Sequence, residues 1–193
     1  KQKTAYEIKE CDWSSDVCSS DLTLYMLNHG FSTAALFLTA GWMIKRRNSS
    51  TIADFGGLQR VTPILAWTFF IAGMSSLALP GLSSFVSEFL VLVGTYTRYP
   101  VAAVLGTFGV ILAALYILIP VQKSLHGPTT PGNENLLDLN KREIIAIAPV
   151  IALIVALGIY PKPALDLINP AAKETITRAG FTDPAPAVTG GNK

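Results

Sequence analysis

The stretch from Leu77 to Val93 constrains the fold more than any other part of this chain, because it places a Pro-Gly pair inside a long apolar run. Pro80 removes a backbone donor and clashes with the preceding turn, and Gly81 permits backbone angles that other residues resist. The run therefore predicts a broken helix, whose first half stops near Leu79 and whose second half restarts near Ser83 or Ser84.

A carboxylate, Glu88, stands in the first turns of the second half-helix, where the hydroxyls of Ser83 and Ser84 are expected to cap the free N–H groups. A carboxylate at membrane depth costs roughly 2.5–3.5 kcal/mol on insertion scales, so it persists where it faces a polar cavity, a partner or an ion path. The helix dipole and burial act on it in opposite directions, which suits a group that changes protonation state. The alternative is a proline kink that serves only packing, with Glu88 bonded to a neighbouring helix.

Composition identifies the class of protein as a polytopic, all-α membrane protein. Half of the residues are hydrophobic and 15% are charged, whereas soluble domains carry about 25% charged residues. A net charge of +2 without a basic, aromatic-rich cluster argues against a nucleic-acid partner. The spans predict a helix bundle that crosses the membrane about four times, one span being broken at Leu79-Pro80-Gly81; they are Leu22–Ile44, Ile64–Ala78 with Ser83–Thr97, Val101–Val121 and Ile144–Tyr160.

Polar side chains within the spans supply the other candidate site residues. Tyr25, His29, Ser32 and Leu36 share one face of the first span, with Asn28 and Thr33 beside it. An imidazole titrates near neutral pH and can pass a proton between its two nitrogens, so His29 is a candidate for a proton relay with Glu88. Equally, His29 could only bond a neighbouring helix, and Tyr116 is interpreted as a packing hydroxyl.

The distribution of basic residues predicts the topology. One side of the predicted membrane carries most of them, and the positive-inside rule places that side in the cytoplasm and the C-terminus outside. The cytoplasmic set is Lys45, Arg46, Arg47, Arg60, Lys123, Lys141 and Arg142, against Arg98 and Lys162 close to the other face. The expected location is the inner (plasma) membrane of a cell.

Both ends of the chain differ from the bundle at residues 23–162. Residues 1–22 are polar and without period, and the string DWSSDVCSSDL resembles translated sequencing-adapter read-through, so this segment is expected to be non-native. Cys11 and Cys18 then say nothing about the redox compartment. Residues 163–193 are expected to be an extramembrane tail that is disordered at its end.

Several kinds of chemistry have no residues to support them. The sequence contains no Gly-rich phosphate loop, no cysteine cluster for iron and sulfur, and no nucleophile with a base at readable spacing. With two histidines, of which His126 lies in a loop and is expected to be solvated, a transition-metal site is not predicted. No cofactor is expected on this chain, which leaves proton or cation movement through Glu88, His29 and water.

Four motifs carry a resemblance to a known family. Asn28-His29-Gly30-Phe31-Ser32, Asp54-Phe55-Gly56-Gly57-Leu58, Leu79-Pro80-Gly81 and Phe85-Val86-Ser87-Glu88-Phe89 resemble the C-terminal part of the antiporter-like subunit M of proton-pumping NADH:quinone oxidoreductase, respiratory complex I. The resemblance covers about residues 23–162. The family consists of two inverted repeats of helices, of which this chain would supply the last four.

The resemblance implies specific roles. In the family, the acidic residue of the broken helix lies on the proton route toward the periplasm and the histidine lies on the central hydrophilic axis, and these match Glu88 and His29. The sister subunit L usually has lysine at the position of Glu88, so glutamate favours subunit M. Other subunits would hold NADH, FMN, iron–sulfur clusters and quinone, and the membrane partners would be of the L and N types.

Two further functions stay open at this point. A multisubunit sodium/proton antiporter of the Mrp kind shares the fold, and a membrane scaffold would use Glu88 and His29 only to bond helices. The family's Lys and Glu of the first repeat and its central lysine have no counterpart in this sequence. The chain alone, as a truncated piece, is therefore expected to be inactive as a pump.

Overall fold

The computed structural model describes residues 15–180 and contains helices but no strand within that range. The first three helices are α1 (Ser15–Arg47), the short α2 (Leu58–Val61) and α3 (Pro63–Ser76). A single 3₁₀ turn, Ile52–Asp54, lies between α1 and α2. The rest of the bundle consists of α4 (Ser83–Arg98), α5 (Pro100–Leu125), α6 (Lys141–Ile159) and α7 (Lys162–Ala179).

Helix α1 is the centre of the bundle, since it packs against α3, α4, α6 and α7. The apolar core lies where α1, α3 and α6 meet, with contributions from the end of α5 and from the loops. Its fully buried members include Ala35 on α1, Leu65 and Ala72 on α3, and Ile147 and Ile154 on α6. The all-α membrane bundle predicted from composition is confirmed.

Within residues 15–180, α5 and α6 are long and apolar enough to cross a membrane on length and composition alone, and α3 is a shorter apolar helix. Helix α1 is long enough but carries the polar face described above. Much of α5 is exposed within this chain, as expected for a surface that contacts lipid or other membrane helices; its exposed side chains include Val101, Leu105, Phe108, Leu112 and Leu115.

The polar end of the bundle is closed by a set of charged contacts that we call the loop clamp: Arg46, Arg47, Asp138 and Glu143. Arg46 binds Glu143 Oε2 at 2.5 Å and donates to the carbonyl of Leu137 at 2.7 Å. Arg47 donates to the carbonyls of Pro131 and Asp54. These contacts fold the loop at residues 126–140 back over the end of α1.

Asp138 completes the clamp by capping α3. Thr62 stands at the N-cap and Pro63 at the start of α3, but the Thr62 side chain caps nothing. Instead the Asp138 carboxylate accepts from the backbone N–H groups of Ile64 and Leu65, each at 2.9 Å. A carboxylate satisfies these free donors and complements the positive end of the helix dipole.

Two segments outside the predicted spans pack closely against the bundle. At residues 54–58, a Cβ on Gly56 or Gly57 would lie within 2.4–2.8 Å of Thr130 or Thr129. The chain after Pro161 forms α7, which packs along α1. Residues 181–193, where disorder is predicted, lie outside the described residues, as do residues 1–14, which include Cys11.

Candidate functional site

The helix break lies where the Pro-Gly pair predicts it but begins earlier. Helix α3 ends at Ser76, three residues before the predicted Leu79, and α4 begins at Ser83. Proline disfavours helical angles in the residue before it, so the chain must leave the helix upstream of Pro80. Ala78 does so by taking a left-handed conformation with φ of 53°.

Helix α6 packs directly against the backbone of the break. A Cβ on Gly158 would lie 2.4 Å from the carbonyl oxygen of Gly81 and 2.5 Å from the carbonyl carbon of Leu82. Real Cβ atoms essentially never approach other atoms this closely, so residue 158 has to be glycine for α6 to occupy its position. The break is therefore braced by a neighbouring helix.

Glu88 is half-buried on α4, one turn beyond the start of the second half-helix. The Tyr25 hydroxyl on α1 donates to Glu88 Oε1 over 3.5 Å, at the long limit of a hydrogen bond. The capping predicted for the hydroxyls of Ser83 and Ser84 is wrong: no side chain caps α4. The Ser84 hydroxyl is bonded to Ser32 instead.

His29 is exposed within the chain and lies beside the tyrosine that contacts Glu88. Its ring stacks on the Tyr25 ring with centroids 5.8 Å apart and planes inclined by 16°. Its Nε2 lies 3.3 Å from the Thr33 hydroxyl one turn later. Tyr25 thus contacts both side chains that the sequence singled out.

These side chains line one cavity of about 540 Å³. Glu88 lines it from α4, Tyr25, His29 and Thr33 line it from α1, and Tyr116 lines it from α5. The structure therefore brings Glu88 and His29 together at one cavity, which Tyr116 also lines. Ser32, which was assigned to the same face as His29, does not line the cavity.

Asn28 and Ser32 instead belong to a second polar cluster, which we call the break network: Asn28, Ser32, Ser75, Ser84 and Ser87. All five are buried, with exposed fractions of 4% or less. The Ser32 hydroxyl lies 2.6 Å from that of Ser75 and 2.9 Å from that of Ser84, so it links both half-helices. The sequence signal was the serine enrichment on both sides of Pro80, of which only Ser83 and Ser84 were interpreted, and these as caps.

Metal chemistry has no visible support in the part of the chain that the structure describes, since no three His, Cys, Asp or Glu side chains cluster there. His126 is exposed in its loop, as predicted. The polar groups of the site are thus one carboxylate, one imidazole, hydroxyls and an amide. Such a set can bind water and exchange protons.

Comparison with known proteins identifies the family. The profile of the family described as NADH:quinone oxidoreductase/Mrp antiporter, TM matches residues 14–115. The chain belongs to this family. The predicted resemblance to subunit M is also confirmed: NADH-quinone oxidoreductase subunit M of Mycobacterium tuberculosis (strain ATCC 25618 / H37Rv) is 55% identical over 169 residues, covering 88% of this chain and 31% of that protein.

More distant relatives extend the likeness. Subunit M of Pseudomonas aeruginosa is 36% identical over 79% of this chain and 30% of its own length. Respiratory complex I from Thermus thermophilus has a chain that superposes with a TM-score of 0.74 at 28% identity, covering 86% of this chain and 36% of that one. A chain of the Mrp complex from Dietzia superposes with a TM-score of 0.67 at 19% identity, covering 84% of this chain and 38% of that one. This likeness shows a common fold. This chain spans about a third of the length of the curated relatives it matches.

Proposed function

We propose that this chain carries protons across the membrane as part of a subunit of NADH:quinone oxidoreductase. The observation that carries the proposal is the cavity shared by Glu88 and His29 beside a broken helix. An ionisable side chain that faces a cavity at membrane depth is interpreted by default as part of a functional site. Broken helices also recur at the ion sites of transporters. The relatives named as subunit M support the same enzyme.

In this mechanism Glu88 takes up and releases the proton, and His29 relays it through its two ring nitrogens and water in the cavity. Tyr25 links the two groups, because its hydroxyl contacts the carboxylate and its ring stacks on the imidazole. Thr33 lies within hydrogen-bonding distance of His29 Nε2 and so orients the ring. A change in the field or shape of the cavity, imposed from elsewhere in the enzyme, would switch the proton affinity of Glu88.

The proposal assigns the redox chemistry to other subunits. NADH, FMN, iron–sulfur clusters and quinone would be bound there, and this chain would act as a non-redox, translocating part of the enzyme. Its membrane neighbours would be the antiporter-like subunits of the L and N types. It would lie in the inner (plasma) membrane with the loop clamp on the cytoplasmic side and α7 on the other, as the distribution of basic residues indicates.

The second candidate, a subunit of an Mrp-type sodium/proton antiporter, rests on the family description and on the shared fold. The 19% identity to the Mrp complex chain supports it less than the 55% identity to a subunit M supports the first candidate. Neighbouring reading frames discriminate between them. Genes for peripheral redox subunits favour the oxidoreductase, and a set of small antiporter subunits favours the Mrp type.

Replacement of Glu88 tests the proposal. In inverted membrane vesicles that contain the assembled enzyme, Glu88→Gln should leave assembly intact and lower NADH-driven proton uptake by about tenfold or more, since it removes a proton-transfer group. Glu134→Gln makes the same change of charge in the exposed loop and should leave uptake unchanged. An unaltered rate and proton stoichiometry in Glu88→Gln would refute the mechanism.

A further inference from the structure

Asn28 is fully buried on α1 and bonds across to the beginning of α4. Its side-chain Nδ2 donates to the backbone carbonyl of Ser83 at 2.8 Å and to the Ser87 hydroxyl at 3.2 Å. A carbonyl oxygen can only accept, so the amide nitrogen, not the amide oxygen, must face α4. One side chain of α1 therefore fixes two points of the first turns of α4.

The position of these bonds along α4 relates them to the carboxylate. Ser87 immediately precedes Glu88, and Tyr25, which contacts Glu88, is three residues before Asn28 on α1. Residues three apart on a helix are neighbours on its surface. Helix α1 thus holds two successive residues of α4 through two neighbouring side chains, of which the asparagine makes the shorter bonds.

The remainder of the break network ties the same part of α1 to the other half-helix. Ser32, one turn after Asn28, lies 2.6 Å from the Ser75 hydroxyl at the end of α3. It also donates to the backbone carbonyl of Asn28 at 3.0 Å. Residues 28 and 32 therefore set the positions of both ends of the break relative to α1, on which His29 stands.

We propose that Asn28 is a positioning residue for Glu88, which it holds at the cavity shared with His29 by fixing the first turns of α4. This proposal rests on the proposed function of Glu88 as a proton carrier. Without the two donated bonds, α4 can shift or rotate about the break, and the carboxylate moves relative to Tyr25 and His29. Misplacement of a reacting group by about 1 Å can lower a rate by roughly a hundredfold.

Asn28→Leu in the assembled enzyme removes both bonds while keeping similar volume. We expect proton uptake per assembled enzyme to fall about tenfold, and the pH of half-maximal uptake to shift. The ionisable groups facing Glu88 are Tyr25 and His29 from α1 and Tyr116 from α5. Helix α3 has no ionisable side chain, and those of α6 are confined to its first turn: Lys141, Arg142 and Glu143.

Thr39→Val is the matched control. Thr39 is also fully buried on α1, but within residues 15–180 its hydroxyl bonds only the carbonyls of Ala35 and Leu36 in its own helix. This variant should leave both the rate and the pH profile unchanged. If Asn28→Leu fails to assemble, Ser87→Ala removes one acceptor without adding volume and should shift the pH profile in the same direction by a smaller amount.

The double variant Asn28→Leu/Glu88→Gln separates the two proposals. If Asn28 acts through Glu88, uptake in the double variant equals that in Glu88→Gln alone. If Glu88→Gln lowers uptake but Asn28→Leu and Ser87→Ala both match Thr39→Val in rate and pH profile, the positioning role is wrong and the proposed function stands. If Glu88→Gln leaves uptake unchanged, both proposals are overturned.

Discussion

The middle and the C-terminal end of α1 bind their neighbours by different chemistry. At the helix break, α1 uses neutral groups, the amide of Asn28 and the hydroxyl of Ser32, to bind other hydroxyls and a backbone carbonyl. At the loop clamp, it uses the guanidinium groups of Arg46 and Arg47 to bind a carboxylate and carbonyls. Charges cost more free energy at membrane depth than at the membrane surface, so these partners suit the predicted topology, in which the break lies within the membrane and the clamp at its surface.

The difference between neutral and charged partners indicates how tightly each part of α1 is held. Hydrogen bonds between membrane helices average about 0.6 kcal/mol, so the break network fixes geometry through several weak bonds. Charge-assisted bonds of the kind found in the loop clamp are roughly twice as strong as neutral ones. The clamp therefore holds the C-terminal end of α1 more tightly than the break network holds its middle, and under the proposed function this weaker attachment lets the break respond to the protonation of Glu88.

The largest effect on the free energy of unfolding is expected at Gly158, where α6 packs against the backbone of the break. Gly158→Ala would drive a methyl group into the backbone at Gly81 and Leu82, and overpacking of this kind costs about 1–3 kcal/mol. We expect the upper part of that range, measured by denaturant unfolding of the protein in micelles. Gly41→Ala, at a helical glycine with nothing within 4 Å, is the control and should not lower stability. Equal stability of the two variants would contradict the bracing role.

An intermediate effect is expected at the loop clamp. Asp138→Ala leaves the N–H groups of Ile64 and Leu65 without their acceptor, and loss of a helix cap costs about 0.5–2 kcal/mol. Asp138→Asn retains an acceptor oxygen and should lose less stability. Thermal unfolding of both variants in detergent checks this order, and a larger loss in the asparagine variant would rule out capping as the reason.

The smallest effect is a gain in stability at the start of the break. Ala78 is left-handed, a conformation that costs non-glycine residues roughly 1–2 kcal/mol, and Ala78→Gly would relieve it. Part of this gain is offset because glycine has more freedom in the unfolded chain. We expect a net stabilisation of about 0.5–1 kcal/mol by the same unfolding assay. Destabilisation would show that the packing of the buried Ala78 methyl group contributes more to stability than relief of the left-handed backbone does.

The parts of the fold that could be predicted from sequence are those with local signals. The Pro-Gly pair predicts the break, and the apolar runs predict the helix bounds to within four residues, except that α1 begins seven residues before the predicted Leu22. The break network was only half visible, because the serines around Pro80 are typical of caps and their partners on α1 lie more than forty residues away. Which side chains of one helix face meet a cavity depends on packing, so the spacing could not separate Ser32, which joins the break network, from Tyr25 and His29, which line the cavity.

The loop clamp and α7 could not be predicted for different reasons. Arg46 was interpreted only as a signal of topology, since its bonds to Leu137 and Glu143 cross more than ninety residues and leave no local pattern. The sequence of α7 contains two prolines, one of them inside the helix, and this composition is typical of irregular segments. The helix packs along α1, so tertiary contact outweighs a weak intrinsic propensity.

The capping of α3 by Asp138 imposes an order on biosynthesis. The carboxylate lies 74 residues beyond the N–H group of Ile64 that it binds. A ribosome working at about 5–20 residues per second needs roughly 4–15 s to add that length. During this interval the first turn of α3 is in the nascent chain without its acceptor, and the helix completes its start only after α4 and α5 have been made. The cap at the start of α3 can therefore form only after Asp138 has been synthesised.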